Sequence, residues 1–186
     1  ARPAVAEAAV GPRDDGERRH ATVMFSDLSG YTALNESFDP EEVEALMARV
    51  KADASAAIER HGGTVNQFVG DEIMALFGIP VARRDDAGRA VAAALELHGV
   101  VDAYLATLEP AFAKNLAMHT GIATGLVVAR RSDARAGDYA LTGDAVNTAA
   151  RLRSAAASHE VVVSATTWQQ VSDAFDAEAT APMALK

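Results

Sequence analysis

Thr64-Val-Asn-Gln-Phe-Val-Gly-Asp-Glu-Ile-Met-Ala-Leu-Phe77 decides the fold of this chain. Two β-prone runs, 64–69 and 73–77, flank Gly70-Asp71-Glu72, which predicts a tight hairpin with Asp71 at its tip. Upstream, Asp39-Pro40-Glu41-Glu42 carries the signals of a helix start: a capping Asp, a Pro fitted to the first turn and acidic residues at the positive helix end. Val43, Leu46, Met47, Val50, Ala54 and Ile58 continue at helical spacing, and Gly62-Gly63 supplies the stop. Before that helix, Ala21-Thr-Val-Met-Phe25 reads as a short strand ended by the turn-forming set Ser26-Asp-Leu-Ser-Gly30.

Downstream, Val91, Leu95, Val101 and Leu105 predict a second packing helix within 88–108. Residues 116–129 hold two apolar runs split around Gly121 and Gly125, expected as strands, and a charged stretch over 130–138 reads as a long loop before Tyr139-Ala-Leu141. Helical periodicity returns over 144–157, Val161–Val163 is β-prone, and 166–175 suits a last helix. Helices and strands are mixed without strict alternation. The order predicts an α+β fold with a ferredoxin-like βαββαβ core, a mixed and mainly antiparallel sheet, and packing helices.

Composition fits that picture. A chain of 186 residues, 49% hydrophobic and 23% charged, is one domain with tails. It is long enough to bury roughly 70% of its unfolded surface. No apolar run approaches the ~20 residues that span a bilayer. Seventeen basic against 26 acidic residues give a formal charge of −9, which argues against a nucleic-acid partner held by a broad electropositive face. The absence of cysteine excludes disulfides, thiolate zinc sites and a cysteine nucleophile, and agrees with a reducing, cytoplasmic setting. Residues 1–19 read as a linker or tail, 20–176 as the folded domain, and 177–186 as a C-terminal segment. Ala1 is not an initiator Met, and the chain reads as an excised piece of a longer protein or a processed one.

Asp27 and Asp71 each follow an apolar strand in a turn, where a carboxylate stays wet and reaches a ligand. In a βαββ arrangement those two positions approach each other. Hard oxygen ligands so placed suit Mg²⁺ or Mn²⁺, and a shared pair can hold two ions ~3.5–4 Å apart. Either Asp alone also reads as a cap or turn residue. Leu28-Ser29-Gly30-Tyr31 lies between Asp27 and the next helix, where backbone N–H groups can cradle phosphates. No GxxxxGK[ST] loop occurs. On the helix after Gly143, Asn147 and Arg151 are spaced i, i+4 and share a face. Arg suits a phosphoryl transition state and Asn a sugar hydroxyl, although a surface Arg and an Asn near a cap are the plainer alternative. Trp168 and the other aromatic residues read as packing groups.

In order, Val23-Met-Phe-Ser-Asp-Leu-Ser-Gly-Tyr-Thr32, Gly62 to Gly78, His119-Thr-Gly121 and Gly143-Asp-Ala-Val-Asn-Thr-Ala-Ala-Arg-Leu152 resemble the catalytic domain of class III nucleotidyl cyclases. The resemblance covers roughly 20–175. It implies that Asp27 and Asp71 bind two divalent metal ions, Mg²⁺ or Mn²⁺, and that the backbone of Leu28, Ser29, Gly30 and Tyr31 binds the triphosphate. It further implies that Asn147 positions the ribose and Arg151 stabilises the transition state. The implied substrate is ATP, the product 3′,5′-cyclic AMP, and the assembly a homodimer whose aspartates and Asn/Arg pair come from different subunits. Regulation is then expected from a domain elsewhere in the parent chain, which can be membrane-attached, and 177–186 is a truncated segment.

Two positions depart from the family pattern. Many adenylyl cyclases carry a purine-selecting Lys four residues before the second metal Asp, and an Asp or Thr three residues before the Gly of the last motif. Gln67 and Ala140 stand there. A Gln amide matches either purine by rotating, and Ala140 offers no side-chain hydrogen bond. GTP or relaxed purine use is therefore the alternative substrate reading, and a silent nucleotide-binding or dimerisation module the alternative function. Val69-Gly-Asp-Glu-Ile73 also resembles the hairpin of diguanylate cyclases, but the Asn147/Arg151 motif argues against that family.

Overall fold

The computed structural model describes residues 16–131 and 139–180. In chain order it holds β1 (Glu17–Ser29), α1 (Tyr31–Ser37), α2 (Pro40–Arg60), β2 (Thr64–Val69), β3 (Glu72–Phe77), α3 (Asp86–Leu105), α4 (Pro110–Ala113), β4 (Ala117–Arg131), β5 (Tyr139–Thr142), α5 (Asp144–Ala155), β6 (Val161–Val163) and α6 (Ala165–Val171). Expectations for 1–15, 132–138 and 181–186 lie outside the described residues.

Alternation along β1 sets the layers. Met24 and Leu28 enter one hydrophobic cluster and Val23 and Phe25 another, because successive side chains of a strand leave opposite faces. The first cluster is filled by α2, through Leu46, Met47, Val50 and Ile58, and by α3, through Ala90, Ala94, Leu97 and Val101. On the other face Ala145 and Ala149 of α5 pack against Val23, Phe25, Ala123 and Val127. The strands run in the order β2-β3-β1-β4-β5, all antiparallel, with β6 added parallel to β4. The first four carry the βαββαβ core read from the sequence.

The helix predicted after Asp39 is α2. Asp39 caps it by accepting the Glu41 N–H at 2.8 Å, and Pro40 takes the first turn. The hairpin also forms, with Val69 opposite Glu72 and Gly70-Asp71 as its two-residue loop.

Several boundaries move for tertiary reasons. β1 extends beyond Ala21–Phe25 on both sides, so Glu17–Arg19, read as linker, and Ser26–Ser29, read as a turn, are strand residues. Pairing with β4 from Glu17↔Ala129 to Ser29↔Ala117 overrides their local turn preference. Residues 117–131 form one continuous strand rather than two runs, and Arg130 and Arg131 belong to it rather than to a loop. Gly121 and Gly125 do not break β4; they give α5 room. A Cβ on Gly121 would sit 2.1 Å from the Arg153 backbone nitrogen and 2.3 Å from the Ala149 carbonyl oxygen. The short helices α1 and α4 had no distinct sequence signal, and the last helix is confined to Ala165–Val171. Trp168 packs against the core, as read. Among the described residues no helix is long and apolar enough to cross a membrane.

Candidate active site

Asp27 lies inside β1, opposite His119 of β4, on the face covered by α5. The hairpin tip brings Asp71 beside it, close enough for the two carboxyl groups to act on each other. Burial and the facing Asp27 carboxylate push the Asp71 pKa up to about 7, against the pull of the Leu28 and Asp71 backbone N–H groups. The Leu28 N–H also donates to Asp27 Oδ1 at 3.1 Å. Leu28 and Ser29 end β1, Gly30 turns the chain with φ 84°, and Tyr31 opens α1. The stretch read as a phosphate cradle thus joins a strand end directly to a helix start. Only a residue without a Cβ fits Gly30, because a Cβ there would lie 2.5 Å from the Asn115 carbonyl oxygen.

Four further side chains adjoin this pair. Arg153 of α5 places Nη1 2.8 Å from Asp27 Oδ2, and its Nη2 bonds Glu72 Oε2. His119 Nε2 stands 3.9 Å from the same Asp27 oxygen, while its Nδ1 pairs with the Ser29 hydroxyl at 3.0 Å. Burial, reinforced by Arg153, lowers the His119 pKa against the attraction of Asp27. Behind the sheet, Ser26 bonds Thr120 at 2.8 Å and Thr120 bonds the buried His98 at 2.9 Å. That chain fixes the β1 backbone beside Asp27.

Asn147 and Arg151 occupy the exposed side of α5, whereas Ala145, Ala149 and Leu152 face inward. Arg153 follows Arg151 by two residues, which on a helix is a rotation of about 200°. The α5 side chain that meets Asp27 is therefore Arg153, and Asn147 and Arg151 are turned away from their own chain's aspartates. Gln67 and Ala140, both exposed, adjoin one contact: Asn66 bonds the backbone of Tyr139 through both ends of its amide.

Two carboxylates forced together match a hard divalent cation, which would replace their repulsion with shared attraction. Among the described residues no group of three or more His, Asp or Glu side chains forms a ready-made metal cage. A cation held by Asp27 and Asp71 would draw its other ligands from water or phosphate oxygens, as Mg²⁺ commonly does.

The sequence model of the adenylate and guanylate cyclase catalytic domain matches residues 15–186. The chain belongs to this cyclase family. Adenylate cyclase 1 of Rhizobium meliloti (strain 1021) is 32% identical to the cyclase domain over 139 residues, 73% of this chain and 20% of that protein. The crystal structure of the guanylyl cyclase Cya2 superposes with a TM-score of 0.77 at 33% identity, covering 84% of this chain and 80% of that one. That of the adenylyl cyclase CyaB from P. aeruginosa gives a TM-score of 0.76 at 30% identity, with coverages of 86% and 84%. The cyclase domain thus spans about a fifth of the length of its Rhizobium relative.

Sequence reading missed Arg153, Glu72 and Asn66. A signal for Arg153 exists: it extends the inward stripe Ala145, Ala149 by one more helical step. A charged side chain on that stripe meets the sheet and requires an acid there.

Proposed function

We propose that this cyclase domain converts ATP to 3′,5′-cyclic AMP and pyrophosphate at sites shared across a homodimer. The observation that carries the reading is the meeting of Asp27 and Asp71, which come from β1 and from the tip of the β2–β3 hairpin. In this reading both carboxylates hold divalent ions, Mg²⁺ or Mn²⁺. Such ions, when bound, neutralise triphosphate charge and lower the pKa of the ribose 3′-hydroxyl. Backbone N–H groups of Leu28, Ser29, Gly30 and Tyr31 receive the phosphate oxygens. Asn147 hydrogen-bonds the ribose and holds the 3′-oxygen in line with the α-phosphorus. Arg151 meets the charge that builds on the α-phosphate oxygens. The O3′–P bond forms as the bond to the bridging oxygen breaks, the hydroxyl proton passes to solvent, and pyrophosphate leaves with the electron pair.

The outward orientation of Asn147 and Arg151 supports sharing, because groups turned from their own aspartates reach those of a second copy. The cyclase domain's small share of its relative's length supports regulation from elsewhere in a longer chain. GTP is the second substrate reading. Ala140 presents no polar side chain beside Gln67, and the similar structures include both a guanylyl and an adenylyl cyclase.

Turnover of Mg- and Mn-bound ATP and GTP by the purified protein tests this reading. Cyclic AMP is expected, with a loss of at least ~100-fold in Asp27→Ala. Nucleotide binding without cyclic product under either metal would leave only a binding or dimerisation module.

A further inference from the structure

Arg153 has no equivalent role in the chemistry above, yet it is the best-held charge at the site. Gly121 lets α5 touch β4 backbone to backbone, so the Arg153 side chain starts against the sheet. From there it reaches Asp27 Oδ2 at 2.8 Å and Glu72 Oε2. The Arg153 and Asp27 side chains are only 22% and 18% exposed, so solvent screens the pair weakly. Asp27 Oδ1 is occupied as well, by the Leu28 N–H. One cost is visible: Arg153 Nε is buried without a hydrogen-bond partner.

A divalent cation on Asp27 and a guanidinium on the same carboxylate are like charges a few ångströms apart in a poorly screened site, and they repel. Arg153 offsets the charge of Asp27, which faces Asp71, and of Glu72, and a divalent cation on Asp27 would compete with it for the same carboxylate. Leaving Asp27 also frees Nε from its unsatisfied position, while Glu72 remains as a partner.

We infer that Arg153 is a displaceable counter-ion, a positioning residue that holds Asp27 and withdraws when a divalent ion binds, so that it sets the metal concentration at which the site fills. The inference rests on the metal role proposed for Asp27.

Mn²⁺ binding to the purified full chain, followed by the EPR signal of free Mn²⁺, tests it in wild type, Arg153→Gln, Arg153→Lys and Asp27→Ala. Arg153→Gln should bind Mn²⁺ about tenfold more tightly than wild type, since a nearby positive charge is gone. Its melting temperature without Mn²⁺ should fall while the Mn²⁺-induced rise grows. A purely structural Arg would show the fall alone. Arg153→Lys keeps the charge but not the fork, and should bind roughly two- to threefold more tightly than wild type; it decides the matter if the Gln variant does not fold. Unchanged or weaker binding in the folded variants, with wild-type binding still dependent on Asp27, overturns the counter-ion inference and leaves the metal role standing. Mn²⁺ binding that ignores Asp27→Ala overturns both.

Discussion

Asn66 and Tyr139 lie on strands at opposite ends of the order β2-β3-β1-β4-β5, yet the Asn66 amide holds both backbone groups of Tyr139. The Tyr139 N–H donates to Asn66 Oδ1 at 2.8 Å, and Asn66 Nδ2 donates to the Tyr139 carbonyl at 3.1 Å. The sheet is therefore curled until its two edges meet. A bulge makes this possible: the register skips from Val65 to Gln67, and Asn66, 3% exposed, is re-aimed inward.

Asn66→Ala should lower stability by about 1–3 kcal/mol, because it strands a part-buried donor and acceptor on Tyr139. The urea midpoint reports this. Gln67 and Ala140 flank the clasp, so the same variant should also reduce the ratio of ATP to GTP kcat/KM. An unchanged ratio would separate purine choice from the clasp.

Gly121→Ala should be more damaging than Gly125→Ala. A Cβ at 121 collides with the α5 backbone at 2.1 Å, whereas one at 125 meets the Ala145 methyl at 3.3 Å. Overpacking of the first kind costs about 1–3 kcal/mol or more. Thermal melts of both variants check the order, and equal losses would contradict the close helix–strand approach.

Raising pH should weaken the protein through Asp71 and strengthen its hold on cations. The Asp71 pKa is about 7 when folded, against 3.8 for an unperturbed carboxyl, so the folded state keeps a proton that the unfolded state releases. That contribution is present below pH ~4 and is lost as pH rises through ~7. Asp71→Asn should therefore gain stability relative to wild type between those limits. His98 works in the opposite sense: burial lowers its pKa from 6.5 to about 4, so its contribution is lost as pH falls through that window. Urea midpoints from pH 4 to 8 for wild type and Asp71→Asn separate the two. Mn²⁺ binding should release a proton near pH 7.

The parts of the fold governed by local rules were legible: the cap at Asp39, the helical stripe of α2 and the hairpin around Gly70-Asp71 all form where the sequence puts them. Asp27 and Asp71 were legible as neighbours because βαββ order alone brings a strand end and a hairpin tip together. What local rules could not supply came from partners distant in the chain. Ser26–Ser29 have turn preferences and become strand because β4 pairs with them. Gly121 and Gly125 look like breakers, and only a helix from residues 144–155 explains them as clearance. Asn66 gives no periodic signal, since a bulge reverses its face. Arg153 was obscured by Arg151 two residues earlier, whose motif drew the reading to the opposite side of the helix.

Asp27→Ala and Arg151→Ala chains, each expected to be inactive alone, test the shared site most directly when they are mixed and assayed for cyclic AMP from Mn-ATP. With random exchange half of the dimers are mixed and each has one intact site, so activity should recover to about a quarter of the wild-type rate. No recovery in a mixture shown to contain heterodimers would contradict the assignment of the aspartates and the Asn147/Arg151 pair to opposite subunits.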